Sequence, residues 1–255
     1  MSHHYVELKD LYYAYPDGNQ AINGISLMIH HGEAVAIVGA NGAGKSTLLK
    51  LLVGILLPSQ GEISVGGTSV TKRTLPYIRQ HIGFTFQDPD DQLFMNTVYD
   101  DVAFGPRNYG VDEPEVEQRV LRALEIVGAV HLKDRAPYKL SGGEKRAVAI
   151  AAVLTMEPDI LVMDEPSAAL DPQARRRLIR LLQGFSHTKI ITTHDLDMVL
   201  DLCERTIVVK DGRIVADGPS LEVLSNEELL ETCGLEKPLR MQGCPICNKK
   251  EEHLT

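Results

Sequence analysis

Hydrophobic positions change their spacing several times along the chain, and each change marks an element. Residues 5–15 and 25–30 alternate apolar with polar side chains, the period of half-buried antiparallel strands, and the turn signal Pro16-Asp17-Gly18-Asn19 lies between them. Residues 34–38 are a continuous apolar run closed by Gly39, the pattern of a buried strand, and residues 45–53 read as the helix behind it. Residues 62–65 and 82–86 predict further strands. From about 91 to 158 strand signals thin out, and residues 113–127 and 143–156 carry a helical period. This predicts a helical subdomain inserted into an α/β core. The core resumes with strands at 160–163, 189–192 and 206–210, and Gly212 turns the last of these into a strand at 213–216. One domain is thus expected over residues 1–220. Residues 219–233 predict one or two closing helices, which with a polar tail from 237 to 255 make up the C-terminal region, 221–255.

Two of the predicted strands end in residues with evident chemistry. Gly39-Ala40-Asn41-Gly42-Ala43-Gly44-Lys45-Ser46-Thr47 fits the phosphate-cradling spacing G-x-x-x-x-G-K-[ST]. Glycines let successive amides turn inward as an anion nest, and the helix opening at Lys45 adds its positive end. Lys45 is a point charge for the β- and γ-phosphates, and the Ser46 hydroxyl is placed to ligate Mg²⁺. The run Ile160-Leu161-Val162-Met163 ends in Asp164-Glu165. Carboxylates buried at a strand end are costly unless they meet a cation. Asp164 is expected to hold Mg²⁺ through water, and Glu165 to polarise an attacking water as general base.

Composition narrows the function. The chain has 255 residues, 44% of them hydrophobic, enough for a substantial core, and a net charge of −9, which disfavours nucleic acid as a partner. Its one dense basic stretch, Arg175-Arg176-Arg177, sits in an amphipathic helical pattern and is expected to be a solvated face. The longest apolar runs, 51–57 and 147–156, fall short of the roughly 18 residues a membrane span needs. The first four residues lack signal-peptide character, so a cytosolic protein is expected, or one held at the inner membrane face by a partner. Four cysteines do not make a disulfide framework. Cys244-Pro245-Ile246-Cys247 is a C-x-x-C, half of a typical zinc site, with Cys233 and His253 as nearby further ligands; the alternative is an unstructured tail with two free thiols.

A phosphate loop and an acidic strand end leave kinases, GTPases and many ATPases open. Leu140-Ser141-Gly142-Gly143-Glu144 narrows them, because it resembles the signature motif of ABC ATPases, usually L-S-G-G-Q. Other elements resemble that family in order: Tyr15 as the adenine-stacking aromatic, Gln87 as the Q-loop glutamine and metal contact, Ser167-Ala168-Ala169-Leu170-Asp171 as the D-loop, and His194 as the switch histidine. The resemblance covers residues 5–220 and implies a P-loop NTPase core, a RecA-like sheet with an antiparallel β-subdomain, carrying an ABC-type helical insertion. It also implies that two chains sandwich two ATP molecules head to tail, with Ser141, Gly142, Gly143 and Asp171 of one facing the nucleotide on the other's Lys45. Since one chain carries the full set, a homodimer is favoured over a pair with a paralogue. The implied further partners are an integral membrane transport subunit and a substrate-binding membrane component.

Three segments, Tyr15–Gly18, Phe86–Phe94 and Val102–Pro106, are similar to the ATPases of energy-coupling-factor importers. Asp88, Asp90 and Asp91 would there form an acidic groove for a basic partner helix. The short C-terminal region resembles the cobalt and nickel branch more than the vitamin branch. Non-transport ABC ATPases of DNA maintenance carry a long coiled coil between loop and signature, whereas here 95 residues separate Lys45 from Leu140 without sustained heptads. A module that only binds ATP is disfavoured by the presence of Glu165 and His194.

Overall fold

The computed structural model describes residues 5–242. The candidate zinc ligands Cys244, Cys247 and His253 lie outside the described residues. The first strands, β1 (Val6–Ala14) and β2 (Gln20–Ile29), pair antiparallel, and β1 also pairs with β4 (Gln60–Val65), which pairs with the short β5 (Thr68–Ser69). This four-stranded sheet buries its alternate residues, such as Val6, Leu8 and Ile63. Strand β2 begins five residues before the expected position, because pairing with β1 extends through the polar Asn23 and Gly24.

A second sheet holds β3 (Ala34–Val38), β6 (Ile82–Thr85), β7 (Ile160–Asp164), β8 (Thr188–Thr192), β9 (Arg205–Lys210) and β10 (Arg213–Pro219), in the order β10-β9-β3-β8-β7-β6. All pairs are parallel except the β9–β10 hairpin. Strands β3, β7 and β8 are buried along their whole length between two covered faces, β3 as a continuous apolar run and β8 with Thr188, Lys189 and Thr192 buried as well. Helix α1 (Lys45–Leu52) fills the space between the two sheets, and Leu48, Leu49, Leu51 and Leu52 join their core. The opposite face is covered by α6 (Pro172–Gln183), α7 (Leu196–Leu202), α8 (Ser220–Ser225) and α9 (Glu227–Thr232).

Between β6 and β7 the chain builds a helical body with a core of its own. It comprises α3 (Val98–Asn108), α4 (Glu113–Ile126) and α5 (Gly142–Leu154), packed through Val102, Val116, Val120, Leu124 and Val148. Before it, α2 (Leu75–His81) leads into β6.

Two expectations change. Cys233 is 4% exposed and lies in the core under the closing helices, so its thiol is withheld from any metal site in the tail. The tail also begins as a docked segment: Arg240 pairs with Asp197 and Asp201 on α7, and Met241 packs against the core.

Candidate functional site

The parallel strands β3, β7 and β8 all point their C-terminal ends at one cavity of about 860 Å³. Among its lining residues are Tyr15, Asn41, Gly42, Gly44, Lys45, Ser46, Thr47, Gln87, Glu165 and His194. The loop after β3 needs its glycines. Gly44 caps α1 at φ +104°, and a Cβ there would sit 2.5 Å from the Ala21 carbonyl oxygen. Gly42, at φ +80°, has no atom within 4 Å of its missing side chain, so its backbone stays open. Gly39 begins the loop against the Val209 carbonyl, too close for a side chain.

Lys45 is 7% exposed, and its ammonium donates to the carbonyls of Gly39 at 2.8 Å and Ala40 at 3.1 Å. Burial pushes its pKa below the usual lysine value, against the opposing pull of Glu165 and Asp164. Tyr15 is half-buried, its hydroxyl 3.0 Å from Thr47 Oγ1 and its ring edge-on to Tyr13.

The two acids at the end of β7 have different surroundings. Asp164 Oδ1 accepts from Thr192 Oγ1 at 2.6 Å and from Ser46 Oγ at 3.1 Å. Glu165 is held with φ +47°, a left-handed conformation that non-glycine residues seldom adopt. Its amide donates to the Thr192 carbonyl at 3.0 Å, and its Oε2 accepts from the His194 amide at 3.1 Å. Its Oε1 is buried without a hydrogen bond. His194 Nε2 stands 3.4 Å from that oxygen, close enough for charge attraction but without hydrogen-bonding geometry, and 3.4 Å from Lys45 Nζ. Ser46 Oγ and Asp164 are hard oxygen donors in contact, and a buried carboxylate oxygen is free beside them. This donor set fits a small oxygen-preferring divalent cation.

Other expected residues lie elsewhere. Ser141 and Gly142 are exposed at the start of α5 and do not line the cavity of their own chain. Ser141 and Glu144 form a capping box, with Glu144 Oε2 accepting from the Ser141 amide at 2.8 Å. The Asp171 carboxylate caps α6, accepting from the amides of Gln173 and Ala174, and also lies outside the cavity. The acidic groove is narrower than expected, because Asp90 is paired with Lys145 at 2.6 Å and Asp88 accepts from the Asp90 amide.

Three residues of the site escape sequence reasoning. Thr192 has no motif of its own. Arg175, expected on a solvated face, turns inward and forms a two-pronged pair with Asp195, while Arg176 and Arg177 are exposed. Asp195 also caps α7 through the Met198 amide at 2.9 Å. The one available signal was the acid directly after His194.

Comparison with known proteins places this geometry. The family described as ABC transporter matches residues 22–168. A protein of Geobacter sulfurreducens named as an ABC transporter ATP-binding protein is 62% identical over 98% of this chain and 100% of its own length. An energy-coupling factor transporter ATP-binding protein of Methanothermobacter thermautotrophicus is 47% identical over 94% of this chain and 82% of its own. Among solved structures, CbiO1 from Clostridium perfringens, part of the ABC transporter complex CbiONQ, superposes with a TM-score of 0.79 at 41% identity, covering 90% of this chain and 94% of that one. A dimeric ATP-binding cassette in a post-hydrolysis state with ADP and phosphate bound gives a TM-score of 0.78 at 28% identity, covering 84% and 98%.

Proposed function

Because the chain belongs to the ABC transporter ATP-binding proteins of the energy-coupling-factor type, we propose that two copies close head to tail over two ATP molecules and drive a membrane import complex. The chain is an ATPase of that family. The observation that carries the dimer is a split within the site. Loop, acids and histidine surround one cavity, while Ser141 and Gly142 open α5 outward on another part of the surface. A second chain brings its own α5 N-terminus to the first chain's nucleotide, as the paired architecture of the post-hydrolysis relative supports.

In this reading Lys45 exchanges the carbonyls of Gly39 and Ala40 for the β- and γ-phosphates, and the loop amides of 41–47 hold the phosphate oxygens. Tyr15 offers its ring to adenine. Ser46, Gln87 and Asp164 would hold Mg²⁺, Asp164 through water. When bound, the metal neutralises charge on the phosphates. Glu165 uses its free Oε1 to take a proton from the attacking water, and His194 steadies the γ-phosphate from the other side. Ser141, Gly142, Gly143 and Asp171 serve the partner's nucleotide. Loss of the γ-phosphate removes the bridge between subunits, and opening of the dimer is passed to the membrane subunit.

Among the described residues no helix is long and apolar enough to cross a membrane. The chain acts at the cytoplasmic membrane face, docked on an integral transport subunit beside a substrate-binding membrane component. We read the cargo as cobalt or nickel ions, with a vitamin as the alternative; the segments around Gln87 and Val102 support an energy-coupling-factor importer. Uptake of radiolabelled metal by cells deleted for this chain tests it. Metal uptake should fall and return with the wild-type gene but not with Lys45→Ala. Unchanged metal uptake with lost vitamin uptake would move the chain to the vitamin branch.

A further inference from the structure

Gln87 reaches the nucleotide cavity from a segment that leaves the core at Thr85, yet the polar side-chain contacts of that segment run to the helical body. The central contact is Arg146 on α5. Its Nη1 donates to the Phe86 carbonyl at 2.7 Å and its Nη2 to the Gln87 carbonyl at 2.5 Å. Further along, Lys145 Nζ binds both Asp90 oxygens at 2.6 and 2.9 Å, and Gln92 Nε2 donates to the Ala149 carbonyl at 2.7 Å. Residues 86–92 are therefore fastened to α5 at three levels.

Arg146 is a costly way to fill this space. It is 3% exposed, it has no carboxylate partner within ion-pair distance among the described residues, and its Nε is buried without a hydrogen bond. Burial lowers its pKa despite the pull of Asp88 and Asp164. An apolar side chain of similar volume would pack there without that penalty. What the guanidinium adds is geometry. A rigid fork on two successive carbonyls fixes the two peptide planes on either side of the Gln87 Cα, and with them the direction of the Gln87 side chain. The same helix begins at Ser141, five residues earlier, outside its own chain's cavity.

We propose that Arg146 is a positioning residue that ties Gln87 to the signature helix, so that engagement of Ser141 with the partner's nucleotide sets Gln87 in this chain's own site. The link rests on the head-to-tail dimer proposed above. It makes α5 a lever with one end in each of the two nucleotide sites, and it couples the sites through a rigid helix and one buried cation.

A double-mutant cycle on the purified full-length chain tests it. Phosphate release against ATP concentration is compared for wild type, Arg146→Met, Arg146→Lys, Gln87→Ala and the Gln87→Ala/Arg146→Met pair, with binding of a fluorescent ATP analogue and thermal unfolding measured on each. Arg146→Met should lower kcat about tenfold while the analogue's Kd stays within about threefold. Arg146→Lys, which keeps one charge-assisted donor, should recover part of the loss. In the Gln87→Ala background Arg146→Met should cost less than about twofold, because the group it positions is already gone. Full multiplication of the two losses, or a weakened Kd at unchanged kcat, would overturn the inference. If Arg146→Met lowers stability too far to assay, the decision passes to the Arg146→Lys cycle under the same criteria. Chromatography of Glu165→Gln with ATP separates the two readings. A dimer with independent losses removes only the role of Arg146, whereas a persistent monomer removes the head-to-tail dimer and this link with it.

Discussion

Asp164 and Glu165 are sequence neighbours with opposite surroundings, and the difference suits two tasks. Asp164 accepts both the Ser46 and Thr192 hydroxyls on Oδ1, which would orient the carboxylate for the proposed cation. Glu165 keeps Oε1 buried and without a hydrogen bond, as the proposed general base requires. Thr192→Val keeps the volume but removes the 2.6 Å bond to Asp164. It should raise the Mg²⁺ concentration needed for half-maximal phosphate release several-fold while leaving the plateau rate within about threefold, since second-sphere partners of metal ligands tune affinity. An unchanged Mg²⁺ dependence would show that Thr192 does not orient Asp164. Lys45→Ala removes the buried cation beside the phosphate loop, and equilibrium binding of labelled ATP should weaken by at least about tenfold, the loss of one charge-assisted contact. At this scale the sequence showed the loop, the acids and His194, because each ends a recognisable strand. It did not show Thr192 or Arg175. A buried threonine looks like any strand residue, and an arginine in a run of three looks solvated until the fold rotates one of them inward.

The elements matter because parallel strands deliver their C-terminal ends to one place. Strands β3 and β7 were legible as apolar runs, and β8 as a short strand at 189–192. Helices α2, α3 and α7 were less so. The first and last have seven residues each, too few for a period to register, and α3 carries Gly105 and Pro106 near its end. The Arg175–Asp195 pair joins α6 to α7 across the base of the site. Burial would raise the Asp195 pKa, but the bonds from Arg175, the Met198 amide and Ser167 outweigh it, so the carboxyl titrates below its usual value. A depressed carboxylate stabilises the fold fully above its unfolded pKa of about 3.9 and loses that contribution as pH falls through the folded value. Arg175→Met should therefore cost about 1–3 kcal/mol in urea unfolding at pH 7, and the gap from wild type should close as the pH is lowered through the carboxylate range. A gap of constant size at every pH would assign the loss to packing rather than to the charge pair.

On the scale of the whole molecule, motif order carried most of the information: a loop, a glutamine, a signature, an acid pair and a histidine in sequence imply an α/β core with a helical insertion, and the structure has that form. The resemblance implied that the signature faces a partner's nucleotide, but not how it sits relative to its own chain's cavity. Only the fold shows that Ser141 lies outside the cavity lined by Lys45 and Glu165, so in the proposed dimer the partner chain supplies it. The central claim is thus that ATP completes the site by joining two chains, and that Glu165 then removes the joint by hydrolysis. Light scattering on size-exclusion fractions of Glu165→Gln, with and without Mg²⁺-ATP and beside a phosphate-release assay, tests it most directly. Glu165→Gln should be a monomer without nucleotide and a stable dimer with ATP, with hydrolysis slowed by about 10²–10⁴-fold relative to wild type. Glu165→Gln that stays monomeric with ATP, or that hydrolyses at the wild-type rate, would contradict it.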